Sequence, residues 1–368
     1  MAAEIRTYSL SQLQAYTGTL SFASRPLIPV SSMRAASYIL NPNALESDIV
    51  LAEYYENGEL VAYRTVLPDM VRSKNEQPLR FAWLSGNYVH PDFRRKGIST
   101  RLFGVMEEAW NGRLMYTNYA PASRAVYDET GKFAVYAARE GERLYLRSPF
   151  YAAWRDRFSR PGLLKAADAV VDLFHEPFVR LGKTADLHPL RVTEVTAFSD
   201  DMPLFIAGLQ EQSLFGRDAQ TFNWIRRYPW VREGRPDEES TRYNFSLVSP
   251  FFRNHWYEIR RDDGSPTGFV WIMVNGKKLM VPYLLSASDC SAVVTDIAAS
   301  LAVKTMIAEK AAYLLVRNRP LEQAVKKLRA PFLLHRTSVM NYYVHRELQP
   351  LMAENGLIHD GDGDCVFT

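Results

Sequence analysis

The residues best suited to chemistry lie in the segment Val89-His90-Pro91-Asp92-Phe93-Arg94-Arg95-Lys96-Gly97-Ile98-Ser99-Thr100-Arg101-Leu102. Arg94, Arg95, Lys96 and Gly97 stand where a strand pattern stops and a helix pattern starts. There the free backbone N–H groups point outward and the helix dipole favours an anion. Such a turn can hold a pyrophosphate. Gly97 removes a Cβ where the backbone must approach a phosphate, Ser99 is small for the same reason, and the three cations supply countercharge. Ile98 completes the turn, and Thr100 is placed to cap the helix. The segment has no Gly-Lys-Ser/Thr ending, which disfavours a Walker-type loop, and it lacks the first two glycines of a dinucleotide fingerprint. An ordinary basic turn that binds some other phosphate is the competing reading.

The flanking elements follow from periodicity. Leu51–Tyr55 and Leu60–Val66 alternate around Asn57-Gly58, the signature of a hairpin. A third strand runs from Leu79 to Val89 and stops at His90-Pro91. Ile98, Leu102, Val105, Met106 and Ala109 recur at helical spacing, which predicts a helix from about Ser99 to Trp110. A strand over Arg113–Asn118, a helix over Ser123–Glu129 and strands over Phe133–Ala138 and Leu144–Ser148 follow. Residues 151–189 read as a helical connector interrupted by Pro161-Gly162 and Pro177. Arg155, Arg157, Arg160 and Lys165 allow a membrane-surface helix there, but a helix packed between domains is the preferred reading.

From Arg191 the same coarse order recurs. Helices fall around Met202–Gln212 and Thr221–Tyr228, and strands at His255–Arg261, Thr267–Val274 and Leu279–Leu285. A helix near Cys290–Lys310, a strand at Ala312–Arg317, a helix near Leu321–Leu328 and a strand at Thr337–Val344 complete a degenerate second copy of the first unit. The domains are therefore expected at 1–150, with the connector at 151–189, and at 190–368.

Composition narrows the class. A chain of 368 residues that is 47% hydrophobic and 23% charged has core enough for two globular domains. A formal charge of +3 does not by itself imply nucleic-acid binding, so a basic site must be local. Cys290 and Cys365 form neither a disulfide framework nor a zinc or nucleophile pattern, and no metal is expected. The start, Met1 to Arg6, lacks the features of a signal peptide, and no uninterrupted apolar run of about 18 residues predicts a membrane span. A cytoplasmic location is the expectation, and a homodimer is compatible with it.

The basic turn resembles the signature of the GCN5-related N-acetyltransferase (GNAT) family: Arg or Gln, two residues, Gly, one residue, then Gly or Ala. Arg94, Gly97 and Ser99 fit that spacing, with Ser in the last place. The resemblance extends to Tyr116-Thr117-Asn118 and to Ser123 through Phe133, where Lys132 is inserted before the usual phenylalanine. It implies an α/β (α+β) fold of two tandem acetyltransferase-like domains, each a mixed, mainly antiparallel twisted sheet flanked by helices. It also implies acetyl-CoA, or another acyl-CoA, as cofactor and the primary amine of a small molecule as acceptor.

In this family the fourth and fifth strands splay, and the pantetheine arm lies in the gap. The resemblance places Asn87, Tyr88 and Val89 on that edge and Asn118 at its mouth, where it could orient pantetheine. Tyr127 matches the tyrosine that protonates the departing thiolate, although a core aromatic would look the same in sequence. Glu53 is the first candidate for the base, directly or through water, against the reading of a solvated strand carboxylate. His90 is expected to serve the backbone.

No basic, glycine-bearing turn recurs between Leu285 and Leu301, so the second domain is expected to shape the acceptor site without a cofactor. Aromatics at Phe222-Asn223-Trp224 and Asn254-His255-Trp256-Tyr257 could line a ring acceptor or simply form core. The ending His359-Asp360-Gly361-Asp362-Gly363-Asp364 clusters acids as calcium loops do, without the glutamate an EF-hand needs. It could present acids to an amine acceptor or form a solvated turn. The alternatives to acetyl transfer are transfer of a longer acyl group and a non-catalytic acyl-CoA sensor or assembly protein.

Overall fold

Asn57 and Gly58 adopt left-handed φ of 53° and 85°, the pair a tight hairpin turn needs, and they join β2 (Ile49–Glu56) to β3 (Glu59–Arg72). The computed structural model describes residues 3–117, 121–154, 160–181 and 190–368. Before this hairpin come β1 (Ala3–Ser9), α1 (Leu10–Thr17), α2 (Leu20–Ala23) and α3 (Ser32–Ile39). After it come β4 (Pro78–Val89), α4 (Ile98–Ala109), β5 (Leu114–Tyr116), α5 (Pro121–Thr130) and β6 (Phe133–Tyr145). Helices α6 (Phe150–Trp154) and α7 (Pro161–Leu181) connect the halves.

The second half opens with β7 (Arg191–Val195), α8 (Met202–Gln210), α9 (Ala219–Arg227), β8 (Arg232–Glu233), α10 (Glu238–Arg242) and β9 (Val248–Ser249). It continues with β10 (Phe252–Arg260), β11 (Pro266–Asn275), β12 (Lys278–Ser286) and α11 (Ser291–Ala308). β13 (Tyr313–Val316), α12 (Arg319–Lys327) and β14 (Leu334–His345) close it.

The two halves share one 12-stranded sheet in the order β1-β2-β3-β4-β5-β14-β6-β13-β12-β11-β10-β7. Read from either end, the order is that of a repeat: four antiparallel strands, a parallel step (β4 to β5, β12 to β13), then a final strand. The final strands are exchanged. β14 of the second half lies beside β5 of the first, and β6 of the first half lies beside β13 of the second. β14 and β6 then pair antiparallel along their whole length, from Leu334↔Tyr145 to His345↔Phe133.

Three apolar clusters hold the sheet. α4 covers one face of the first half with Ile98, Leu102, Phe103 and Met106, packed on Val61, Ala82 and Leu84. α11 and α12 cover the same region of the second half through Val294, Ile297, Ala302 and Leu321. The segment Ser288–Ala308 is long and apolar enough to cross a membrane by composition, and more than half of it is buried in this core. The third cluster spans both halves, joining α1, α3, α8, α9 and the tail through Leu13, Tyr38, Trp83, Phe215, Phe222 and Phe367.

Two local readings of the sequence change. β6 is one strand rather than two, and its charged middle is ion-paired to the tail and to α12, by Arg139–Asp360 at 2.8 Å and Glu142–Lys326 at 2.8 Å. Gly141 is required there, because a Cβ would stand 2.2 Å from the Val316 carbonyl oxygen. Pro177 lies within α7 instead of ending it.

Candidate active site

β4 ends in a 3-10 turn, Pro91–Phe93, in which the His90 ring accepts the Asp92 N–H at 3.4 Å; His90 thus serves the backbone. The chain then turns through Arg95 at φ 62° and Gly97 at φ 71° into α4. Left-handed residues at such positions gather successive N–H groups toward one side, as in anion-binding nests. Gly97 is the N-cap and offers no side-chain cap; a Cβ added there would meet nothing within 4 Å. The N–H groups of Ile98, Ser99 and Thr100 cannot bond within the helix, and among the described residues they find no backbone acceptor. Thr100 does not cap α4 as expected, because the helix starts earlier and places Thr100 within its first turn.

Arg94, Arg95, Lys96 and Gly97 are exposed. Among the described residues none of the three cations pairs with a carboxylate. Arg94 Nε donates to the Val89 carbonyl at 3.1 Å, and Lys96 Nζ stands 4.7 Å from the Phe93 ring centre. The uncapped amides and unneutralised cations fit a diphosphate.

The turn opens onto a gap. β4 and β5 share only Ala82↔Leu114 and Trp83↔Met115, after which β5 turns to β14. Beyond Leu84 the second edge of β4 therefore has no neighbouring strand. The His90 N–H donates to the Val61 carbonyl at 2.8 Å, so by alternation the main chains of Asn87 and Val89 face the gap. Tyr88 points to the opposite face from Asn87 and stacks on Tyr63 at 5.3 Å. Asn118 lies outside the described residues.

Each face of the gap carries its own polar apparatus. On the α4 face, Tyr127 is fully buried among Phe103, Tyr116 and Phe133. The buried Arg64 guanidinium donates to its phenol oxygen, and also to the Ser99 hydroxyl at 3.1 Å. Ser99 in turn exchanges hydrogen bonds with the Asn87 side chain at 3.0 and 3.2 Å. One network therefore ties the start of α4, the edge of β4 and Tyr127 together.

On the other face lies a cavity of about 560 Å³, lined among others by Ser85, Thr117, Tyr243, Met280, Leu315 and Asp364. Both halves and the tail contribute to it. A bulge at Thr65/Val66 offsets Ser85, next to where β4 loses its neighbour. Arg34, buried in α3, donates to Ser85, to Tyr38 at 2.9 Å and to Tyr243 at 3.1 Å, and it lies 3.9 Å over the Trp230 ring. Asp364 lines this cavity beside Ser85 and Arg34; burial pushes its carboxyl up to about 6, outweighing the pull of both neighbours. Gly86 permits this approach, since a Cβ would stand 2.4 Å from the Thr65 hydroxyl oxygen and 3.5 Å from Arg34 Nη2.

Asp364 is fixed by the rest of the tail. The buried Arg217 donates to the Gly363 carbonyl at 3.2 Å and to Asp69 at 2.9 Å, and it lies 3.8 Å from Asp362. Asp362 further accepts from the Tyr283 hydroxyl at 2.9 Å and the His359 N–H at 2.7 Å. The tail is therefore a buried clamp rather than a calcium loop or a solvated turn, and among the described residues no acid, histidine or cysteine group could hold a metal.

Glu53 has a different place. It is fully buried in β2, accepts from Tyr16 and Tyr55 at 2.6 Å each, and meets Arg25 at 3.4 Å. It is not among the cavity's lining residues, and both its oxygens are occupied.

Arg34 and Arg64 were not singled out in the sequence, and Asp364 entered only as one acid of the tail cluster that could be presented to an amine acceptor. Arg34 and Arg64 read as ordinary surface cations, and only Gly86 inside a strand signalled that something approaches the backbone closely.

The second half repeats the strand–turn–helix geometry without the chemistry. β12 parts from β13 after Met280↔Leu315, and a 3-10 turn, Ser288–Cys290, leads into α11. No residue from 286 to 291 has a positive φ, and the charged side chain of that turn is Asp289, paired with Arg261.

Residues 23–131, from α2 through α5, match the acetyltransferase (GNAT) family. They include the basic turn, the gap and Tyr127. This segment is a GNAT domain, and the second half of the chain repeats its fold in degenerate form. None of the curated proteins matches the sequence. Among solved structures, a probable N-acyltransferase from Enterococcus faecalis aligns with a TM-score of 0.52 at 9% identity, covering 95% of this chain and 74% of that one. Saccharomyces cerevisiae N-myristoyltransferase with bound myristoyl-CoA aligns with a TM-score of 0.50 at 12% identity, covering 94% and 82%. A tandem GNAT protein from the clavulanic acid biosynthesis pathway aligns with a TM-score of 0.49 at 13% identity, covering 93% and 97%.

Proposed function

We propose that this protein transfers an acetyl group from acetyl-CoA to the primary amine of a small acceptor. The observation that carries the proposal is the turn Arg94–Ser99, where uncapped amides and unpaired cations border the gap between β4 and β5. Acetyl-CoA supplies the activated thioester; Arg94, Arg95, Lys96 and the Ile98–Thr100 amides hold its diphosphate, and the open edge of β4 at Asn87 and Val89 bonds its pantetheine arm.

The two faces then take separate roles. Asp364, from the cavity, removes the proton that the acceptor must lose for its nitrogen lone pair to attack the carbonyl carbon. Its elevated proton affinity suits a base working near neutrality, and it takes the role expected of Glu53, whose oxygens are committed to Tyr16, Tyr55 and Arg25. Tyr127, from the α4 face, gives a proton to the sulfur as the C–S bond breaks, and the Arg64 cation compensates the charge left on the phenol oxygen. Asp364 and Tyr127 stand on opposite faces of the gap, so one step can draw a proton from one side and deliver one to the other.

An acceptor-library screen that follows free thiol release from acetyl-CoA tests the proposal; thermal stabilisation by acetyl-CoA with no thiol release from any amine would overturn it in favour of a sensor. Tyr127→Phe is expected to lower kcat about 10²-fold, the low end of the range for general acid catalysis, with the acetyl-CoA Kd nearly unchanged. Arg95→Ala with Lys96→Ala is expected to raise the acetyl-CoA Kd about 10-fold or more and to leave the acceptor KM alone. Titration calorimetry and steady-state kinetics separate the two effects.

A further inference from the structure

The charges around the cavity do not cancel. Two acids of the tail pair with cations, Asp360 with Arg139 at 2.8 Å and Asp362 with Arg217 at 3.8 Å, and Asp364 lies in the field of Arg34. Three further cations line the cavity: Arg143 on β6, Lys278 on β12 and Arg317 just past β13. Among the described residues, Arg143 and Arg317 are in no ion pair, and Arg317 Nε is buried without a hydrogen-bond partner. Lys278 Nζ donates to the main-chain oxygen of Thr368 at 3.2 Å.

The strand register brings these cations together. Tyr313 lies opposite both Lys278 and Tyr145, and Leu315 lies opposite both Met280 and Arg143. Side chains two apart share a face, so Lys278, Arg143 and, one residue beyond β13, Arg317 project to the same side. Burial lowers the proton affinity of Lys278, and the nearby Arg317 and Arg143 lower it further. In the strand order β5 and β14 separate β6, the nearest strand of this group, from β4 and the Ser85 and Asp364 end of the cavity.

We infer that the acceptor is an amine that also carries an oxyanion, a carboxylate or a phosphate, seated on Arg143, Arg317 and Lys278 while its amino group reaches Asp364. The inference rests on the acyl-transfer reading above and names the class of its substrate. An oxyanion offers the paired acceptors that guanidinium donors fit. A polycationic amine would bring like charge to a site that already has a surplus of it.

The test compares matched acceptors in the thiol-release assay. An ω-amino acid is set against the alkylamine of the same length, and an amino-sugar phosphate against the free amino sugar; the two pairs distinguish carboxylate from phosphate. The anionic member of at least one pair is expected to show a kcat/KM about 10- to 100-fold higher, as charge-assisted hydrogen bonds supply. Arg143→Gln with Arg317→Gln is expected to collapse that ratio toward one while the acetyl-CoA Kd stays the same. Equal or better use of the uncharged members, or a ratio unmoved in the double variant, overturns the inference and leaves acyl transfer standing. Thiol release from no amine of either kind brings down both.

Discussion

Asp364→Asn is expected to reduce kcat by about 10³-fold, within the range that general base catalysis supplies, while acetyl-CoA binds as before. The pH profile gives the sharper test. With its carboxyl pushed up to about 6 by burial, Asp364 is protonated below that pH and cannot accept a proton; above it the carboxylate is available. The kcat/KM of the unaltered protein should therefore fall as pH drops through about 6 and level off above it, apart from any limb that belongs to the acceptor's own ammonium. In the asparagine variant the limb near 6 should vanish. If it persists, the titrating group lies elsewhere and the assignment of the base is wrong.

Arg217→Ala should have the largest effect on stability, about 3–5 kcal/mol, the usual result of stripping the partner from a buried charge. Arg217 is 2% exposed and stands between Asp69 and Asp362. Asp69 also accepts from the Trp83 indole at 2.8 Å, and Asp362 from Tyr283 at 2.9 Å. Removing the guanidinium leaves two carboxyls inside the core with neutral donors only. A loss of this size shows as a lower urea midpoint with the denaturant slope unchanged. A shift below about 1 kcal/mol would mean that the clamp holds without its cation. Because Arg217 also grips the Gly363 carbonyl, residual folded enzyme should be slow as well, through a displaced Asp364.

What the sequence made legible was local. Asn57-Gly58 marked a hairpin because only left-handed residues fit that turn. The Arg94–Ser99 turn could be read because its cations, its glycine and its place between two periodicities all fall within one short stretch. β1 and β7 escaped because their residues are mostly exposed and carry no apolar alternation. β6 was split because its centre, Arg139-Glu140-Gly141-Glu142-Arg143, reads as a charged loop; the partners of Arg139 and Glu142 are Asp360 and Lys326, far along the chain. The same distance hid which acid of the tail would face the gap. Asp364 meets Ser85 and Arg34 only after the whole second half has folded, and no spacing rule links residues so far apart. Arg34 and Arg64 were hidden for another reason: a buried arginine betrays itself by its partners, and those come from other elements.

The exchange of β6 and β14 has a consequence for how the protein is made. During synthesis β5 emerges with only β4 beside it, and more than two hundred further residues must follow before β14 arrives on its other side. Long-range pairing of this kind slows folding and leaves a bare strand edge open to association meanwhile. The nascent chain is therefore expected to stay incompetent until β14 and the segment that carries Asp364 have been made. An N-terminal fragment cut after β6 holds the whole basic turn and still lacks both the strand that completes its sheet and the acid proposed as the base.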